Sequence, residues 1–361
     1  MAADKHVNDL IAQMREAVKN AQDMTQAISA TLAPIHAPVA APAMPPALSP
    51  APIAAPSPVP VPARKPMADQ LALVHELMRG VERRFGIKSG TLVERKLTRI
   101  LKDMPVNVLR DWVTSMNNCS SEHAEWQSLV ENLTVHETYF CRDPDLLDMV
   151  SQEILPMLIA SREHVQQLQV WSAASSTGEE AYDLGYMALR ALQQAGKAGQ
   201  SDGKIAPRGW SLYVLGTDIS NQALRTAREG VYGDLGMGSF RNLPGHWKAM
   251  FQDIAMPQGA GMPGVNYFRI RDWIKNLVRF ERFNLMNSRP PVTGMDLVFC
   301  RNVLIYFDDD IKRAVQTMLA RAIAPGGVLV MGASVQLLAT QYFEARQGSG
   351  GPWYVRNKVP V

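Results

Sequence analysis

The stretch "VWSAASSTGEEAYDLGYMALRAL" runs from Val170 to Leu192. It opens like a buried strand and closes like an amphipathic helix. Between the two lie small residues, Gly178, and the pair Glu179 and Glu180. Small side chains let a ligand approach the backbone closely. Thr177 and Glu180 match a T-x-x-E capping box, which accounts for one glutamate. Glu179 is not needed for capping. Glutamates at a helix start also favour the helix dipole, so the pair is not a ligand signal by itself. It does disfavour one ligand class. A dinucleotide needs a G-x-G-x-x-G cradle of backbone N–H groups at the helix start, and two carboxylates there repel a pyrophosphate. A nucleoside carrying a sulfonium and an ammonium, such as S-adenosylmethionine, suits them.

Outward from this stretch, strand-like runs alternate with helices from about residue 165. "WSLYVLGTDIS" leads into "NQALRTAREG". "LVRFERFNL" and "MDLVFCRN" follow, then the helix "DDDIKRAVQTMLARAI", the turn "APGG", the strand "VLVMGAS" and a last strand "GPWYVR". Such alternation predicts an α/β domain around a mostly parallel sheet with helices on both faces. Ligands of open parallel sheets bind beyond the carboxyl ends of the strands. Asp218, in "GTDIS", falls at such an end, where a carboxylate can accept both hydroxyls of a ribose.

The chain has 361 residues, 47% of them hydrophobic and 20% charged, enough for two or three domains with substantial cores. A net charge of +3 does not argue for nucleic acid. Cys119, Cys141 and Cys300 are scattered and form no metal-ligand pattern, which predicts reduced thiols in a cytoplasmic protein and no metal site. The start, "MAADKHVNDL", carries charge and no apolar core, so it is not a signal peptide, and no apolar run is long enough to span a membrane.

Residues 1–32 carry Val7, Ile11, Met14, Val18, Ala21, Thr25, Ile28 and Leu32 at alternating spacings of four and three. This heptad seam predicts an amphipathic helix over 4–31, for a coiled-coil partner, for self-association, or with no specific partner. Residues 33–66 hold 12 of the chain's 24 prolines and read as an extended tether. At roughly 3.1 Å per residue it reaches up to about 100 Å. Residues 67–135 read as an all-helical domain. From Arg79 to Arg110 there are nine Lys and Arg against three acids. Arg95, Arg99 and Lys102 share one helix face, either a solvated surface or a docking patch for an acidic partner.

Three further stretches complete the pattern: "NLTVHETYFCRDP" (132–144), "FNLMN" (283–287) and "FCRNVLIYFD" (299–308). Taken in order with "WSAASSTGEEAY" and "TDI", these motifs resemble the CheR family, the chemotaxis receptor methyltransferases. The resemblance spans roughly residues 67–357. It implies a class I S-adenosylmethionine-dependent methyltransferase domain over 136–361, doubly wound, with a small all-α domain before it and a β-subdomain inserted near 235–280. It also implies transfer of methyl groups to glutamates on the acidic cytoplasmic helices of methyl-accepting chemoreceptors. Cofactor contacts carried over by the motifs are His136, Thr138, Arg142, Glu179 or Glu180, Asp218, Asn284, Leu285, Asn302 and Val303. His136 stands where the family has a small polar residue, Ala181 where it has proline, and "GAS" at 332–334 where it has G-H-S.

A glutamate acceptor has a reference pKa near 4.3 and is already nucleophilic at neutral pH, so no general base is required. Tyr306 is the first choice to orient it, with Arg142 or Arg301 as alternatives, or Tyr306 packs beneath the cofactor instead. Cys300, at a buried strand end without a base, reads as inert packing. Two other readings remain: a cofactor-binding signalling adapter without turnover, and a methyltransferase acting on another carboxylate.

Overall fold

In the computed structural model, the described residues are 65–361, apart from 135, 136, 236, 237, 242, 256–261 and 263. The predicted heptad helix, most of the proline tether and His136 therefore lie outside them. They begin with four helices: α1 (Lys65–Phe85), α2 (Thr91–Leu101), α3 (Val106–Asn117) and α4 (Ala124–Leu133). Leu77, Val81, Leu97, Leu101, Leu109, Val113 and Trp126 form their shared core. The spacing of Val93, Leu97 and Leu101 turns one stripe of α2 inward and leaves Arg95, Arg99 and Lys102 exposed.

Two of the basic residues in this layer serve the fold. Arg84 donates to the carbonyls of Asn117 and Cys119 just past α3, with its guanidinium 4.5 Å over the Trp126 ring. Lys96 donates to the carbonyls of Leu133 and Thr134 at the end of α4. Both satisfy carbonyls that a helix end leaves without partners. The docking reading of the basic stretch therefore loses these two side chains.

A helical run follows, α5 (Pro144–Met149) and α6 (Leu155–Ser161), joined through a π turn at Val150–Ile154. The main sheet is built from β1 (Gln167–Ser172), β4 (Ser211–Asp218), β8 (Val278–Arg282), β9 (Met295–Cys300), β10 (Ile323–Met331), β11 (Phe343–Gly348) and β12 (Gly351–Arg356). Its order is β11-β12-β10-β9-β1-β4-β8. The five strands from β10 to β8 are mutually parallel, and β12 is antiparallel to both its neighbours. Side chains alternate across it. Val170, Val214, Leu297 and Phe299 join one core, while Trp171, Leu215 and Val298 join the other. Burial on both faces explains why β9 reads as an unbroken apolar run save Asp296. Asp296 accepts from Arg162 and from the Gln169 amide.

Helices α7 (Glu179–Gln194), α8 (Asn221–Glu229), α9 (Asp272–Lys275) and α10 (Asp309–Ala322) complete the layers. A short hairpin, β2 (Ala198–Ser201) and β3 (Lys204–Pro207), follows α7. A separate antiparallel sheet, ordered β5-β7-β6, is inserted after α8: β5 (Val231–Gly233), β6 (Phe251–Ile254) and β7 (Tyr267–Ile270). It starts at Val231, slightly ahead of the expected bound. The chain steps from β1 to β4 to β8 in one direction and from β9 to β10 in the other, so the topology reverses beside β1, the usual position of a ligand crevice.

Candidate active site

A cavity of about 430 Å³ opens over the carboxyl ends of β1, β4, β8 and β9. Each strand delivers its residues as it ends: Ala173 and Ala174 after β1, Asp218 at the end of β4, Asn284 and Leu285 after β8, and Arg301, Asn302 and Val303 after β9. Thr138, Tyr139 and Arg142 come from the segment between α4 and α5. The loop Ile87–Gly90 and the start of α2 close another side. Every sequence-predicted contact among the described residues lines this cavity except Glu179.

The glutamates separate because of how the loop turns. Gly178 has φ +99, and a Cβ there would meet Ala227 Cβ at 2.8 Å and Phe280 at 3.0 Å. Only glycine fits so close an approach in that conformation. Gly178 is itself the N-cap, with no side-chain cap, so the expected Thr177–Glu180 capping box does not form. Thr177 Oγ1 instead donates to Glu179 at 2.6 Å, and Ser239 Oγ donates to the same carboxylate at 2.7 Å. Glu179 is thus turned toward the inserted sheet and away from the cavity. Glu180 lies on the cavity wall, where Ser172 Oγ donates at 2.6 Å and Arg301 at 3.1 Å. Burial pushes both carboxyls above their usual range, offset for Glu180 mainly by the Arg301 charge.

Asp218 is buried, and both of its oxygens hold the backbone: Oδ2 accepts from the Ser176 amide at 2.8 Å and Oδ1 from the Ser220 amide at 2.9 Å. A carboxylate fixed in this way is suited to a vicinal diol. Asn284 donates to the Arg84 carbonyl at the end of α1 and accepts from the Met286 amide. Asn302 adopts φ +56, a left-handed conformation that asparagine tolerates better than most residues.

Arg301 does not face an incoming acceptor. Its side chain is 2% exposed and donates to Glu180, to Asp143 at 2.6 Å and to the Arg142 carbonyl at 2.8 Å. The alternative that it orients a substrate carboxylate is therefore set aside. It braces the turn Cys141–Asp143, in which Cys141 (φ +58) and Asp143 (φ +62) are both left-handed. Arg142 stands between them, half-buried on the cavity wall, with one N–H on the Glu137 carbonyl. Tyr306 is 39% exposed at the rim beside Ile305 and Leu92, so it does not pack in the interior. Cys300 is fully buried and burial pushes its thiol well up, which makes it unreactive packing.

Two contributions escaped the sequence. Asp183, one turn into α7, reaches the cavity wall. An acid inside the apolar run "AYDLGYMAL" was the available signal. The other is the loop Ile87–Gly90, anchored where the Lys88 amide donates to the Tyr306 carbonyl at 2.9 Å. Nothing in that segment marks it as part of a site two hundred residues away in sequence from its neighbours.

The donor set fits S-adenosylmethionine: a ribose-type carboxylate at β4, a buried acidic wall for cations, an arginine for a carboxylate, and apolar walls from Phe283, Leu285 and Val303. Residues 136–351 match the family described as CheR methyltransferase, SAM binding domain. The chain is 34% identical over 240 residues to a chemotaxis protein methyltransferase of Vibrio anguillarum, covering 66% of this chain and 77% of that protein. It is 32% identical over 279 residues to chemotaxis protein methyltransferase 1 of Vibrio cholerae, covering 74% and 91% respectively. The chain belongs to the CheR methyltransferase family, whose members use S-adenosylmethionine.

Proposed function

We propose that the protein transfers methyl groups to glutamate side chains on the cytoplasmic helices of chemoreceptors, forming glutamyl methyl esters. The observation that carries this reading is the position of the helical layer. Its loop Ile87–Gly90 and Leu92 form part of the cavity wall, and the exposed Arg95, Arg99 and Lys102 continue from there along α2. An acceptor reaching the exposed rim at Leu92, Ile305 and Tyr306 passes a basic helix face. That suits an acidic helix better than a small neutral substrate.

When bound, S-adenosylmethionine supplies an electrophilic methyl group on a sulfonium. In this reading Asp218 holds the ribose hydroxyls, Glu180 faces the cationic end, and Arg142 and Thr138 hold the cofactor's carboxylate end. Asn284, Leu285, Asn302 and Val303 enclose the nucleoside. The acceptor carboxylate enters ionised, and a residue that held it tightly would weaken it as a nucleophile. Tyr306 at the rim gives a single hydrogen bond that orients it. Most of the acceleration then comes from alignment and exclusion of water, where effective molarities reach about 10⁵ M or more. The heptad segment and tether, residues 1–66, raise the local concentration of enzyme at receptor arrays through a docked partner or a second copy.

The test is transfer of labelled methyl from S-adenosylmethionine to receptor-containing membranes of the same organism. Base-labile, volatile counts identify a carboxylate ester. Tight cofactor binding without such counts, across several receptors, would overturn the reading. Deletion of residues 1–66 separates the tether's role: unchanged methylation and unchanged array localisation would remove it.

A further inference from the structure

Asp183 is 2% exposed on α7, flanked by the buried Tyr182 and Leu184, and it lies on the cavity wall. Its Oδ2 accepts from the Cys141 amide at 2.7 Å. Its Oδ1 has no partner among the described residues. A buried carboxylate oxygen without a donor is costly, and more so when charged.

The surroundings supply no cation of its own. On the same helix, Glu179 is held by Thr177 and Ser239, and Glu180 by Ser172 and Arg301. Just past β9, Arg301 commits Nη1 and Nη2 to Glu180, Asp143 and the Arg142 carbonyl. Its Nε–H has no partner among the described residues, and its charge acts on Asp183 without a hydrogen bond. From β5, Tyr232 donates to the Thr177 carbonyl. The wall therefore gathers the carboxylates of Glu180 and Asp183 around the Arg301 guanidinium, with Arg142 also acting on Glu180 and with Glu179 behind them. Glu180 and Asp183 stand at i and i+3, on one face of the helix. Two carboxylates so placed offer acceptors to a group with several N–H donors and a positive charge.

We propose that Asp183 binds the α-ammonium group of S-adenosylmethionine, as a second acid beside Glu180, and so makes the site select cofactors that carry an intact amino acid end. The Cys141 contact gives Asp183 a second use, since it fixes the turn that presents Arg142. The two uses separate experimentally. Asp183→Asn keeps an oxygen for the Cys141 amide and removes the charge.

The test is calorimetric binding to the full chain of S-adenosylhomocysteine and of its analogue lacking the α-amino group. The wild-type protein is expected to prefer the amino form by at least about 30-fold. In Asp183→Asn that preference should shrink by about 10-fold or more, through weaker binding of the amino form alone, while the deamino form binds as before. Asp183→Ser, neutral but too short for the Cys141 amide, stands in if the asparagine variant folds poorly: the deamino form then reads the loss of the Cys141 anchor, and a further loss confined to the amino form reads the charge. Retention of the wild-type preference in the variants would overturn the proposal. Equal loss of affinity for both ligands would overturn it too, since it would reduce Asp183 to an anchor for Cys141.

Discussion

Asn284 donates from Nδ2 to the backbone carbonyl of Arg84 at 2.8 Å, joining the strand end after β8 to the last turn of α1. The same side chain accepts the Met286 amide at 3.0 Å. One residue thus couples the helical layer to the cavity floor. Asn284→Ala removes both bonds and leaves an amide and a carbonyl without partners. A stability loss of about 1–3 kcal/mol is expected in urea denaturation. Hydrogen exchange should quicken at Phe85–Gly90 before it does in the sheet. Unchanged exchange there would show that the two layers are held together by other contacts.

Arg301 is a buried guanidinium with two carboxylate partners, Glu180 and Asp143. Removing one side of such a cluster leaves charge buried and uncompensated. Arg301→Met should therefore cost about 3–5 kcal/mol. Adding Glu180→Gln to it should restore part of that loss. A double variant as unstable as the sum of the singles would mean that the pair is not coupled.

The sheet was legible because its central parallel strands wrote themselves as apolar runs ending in polar or small residues, as β1 and β9 do, while the edge strand β8 alternates as VRFER. The cavity residues were legible at those same strand ends, from Asp218 to Asn302. Glu179 was not separable from Glu180 because the decision lies in the left-handed Gly178 and in Ser239, sixty residues away in the turn between β5 and β6. Arg301 read as a free cation because sequence does not show Asp143 folding back on it. Arg84 and Lys96 read as surface charge because helix carboxyl ends are met only in three dimensions.

Asp218 carries the clearest binding test. Asp218→Ala removes the acceptor of the Ser176 and Ser220 amides along with the group proposed to hold the ribose. Hydrogen bonds to a charged group contribute about 1.5–3 kcal/mol each, so S-adenosylhomocysteine should bind roughly 10- to 100-fold more weakly or worse. A 2′,3′-dideoxy analogue should bind the variant and the wild type alike. If the variant loses the dideoxy ligand to the same degree, the residue acts on the loop and not on the ribose.

The basic face of α2 predicts a different signature. Charge reversal at Arg95, Arg99 and Lys102, all exposed, should raise the KM for receptor membranes by about 10-fold or more. Cofactor affinity should stay unchanged, because none of the three lines the cavity. The wild-type KM should also rise with salt, and the variant's should respond less. Equal salt dependence in both would place the receptor contact elsewhere.

The acidic wall makes a prediction about pH. Burial holds the Asp183 carboxyl well above the usual carboxylate range, and Glu179 and Glu180 above it as well, with the Glu180 shift opposed by Arg301. The folded protein therefore keeps protons that the unfolded chain has released. Stability contributed by these groups is greatest at low pH and falls as pH rises from about 4 through the raised values. Asp183→Asn removes the group most displaced. Without cofactor, the wild type should lose stability more steeply than the variant as pH rises above about 4, with a gap of about 1–3 kcal/mol at the alkaline end in urea titrations. Saturating S-adenosylhomocysteine should flatten the wild-type profile more than the variant's, because the ammonium meets two raised carboxyls in the wild type and Glu180 alone in the variant. Parallel profiles for the two proteins, with and without ligand, would mean that Asp183 is ionised at little cost and that its free oxygen is met by solvent.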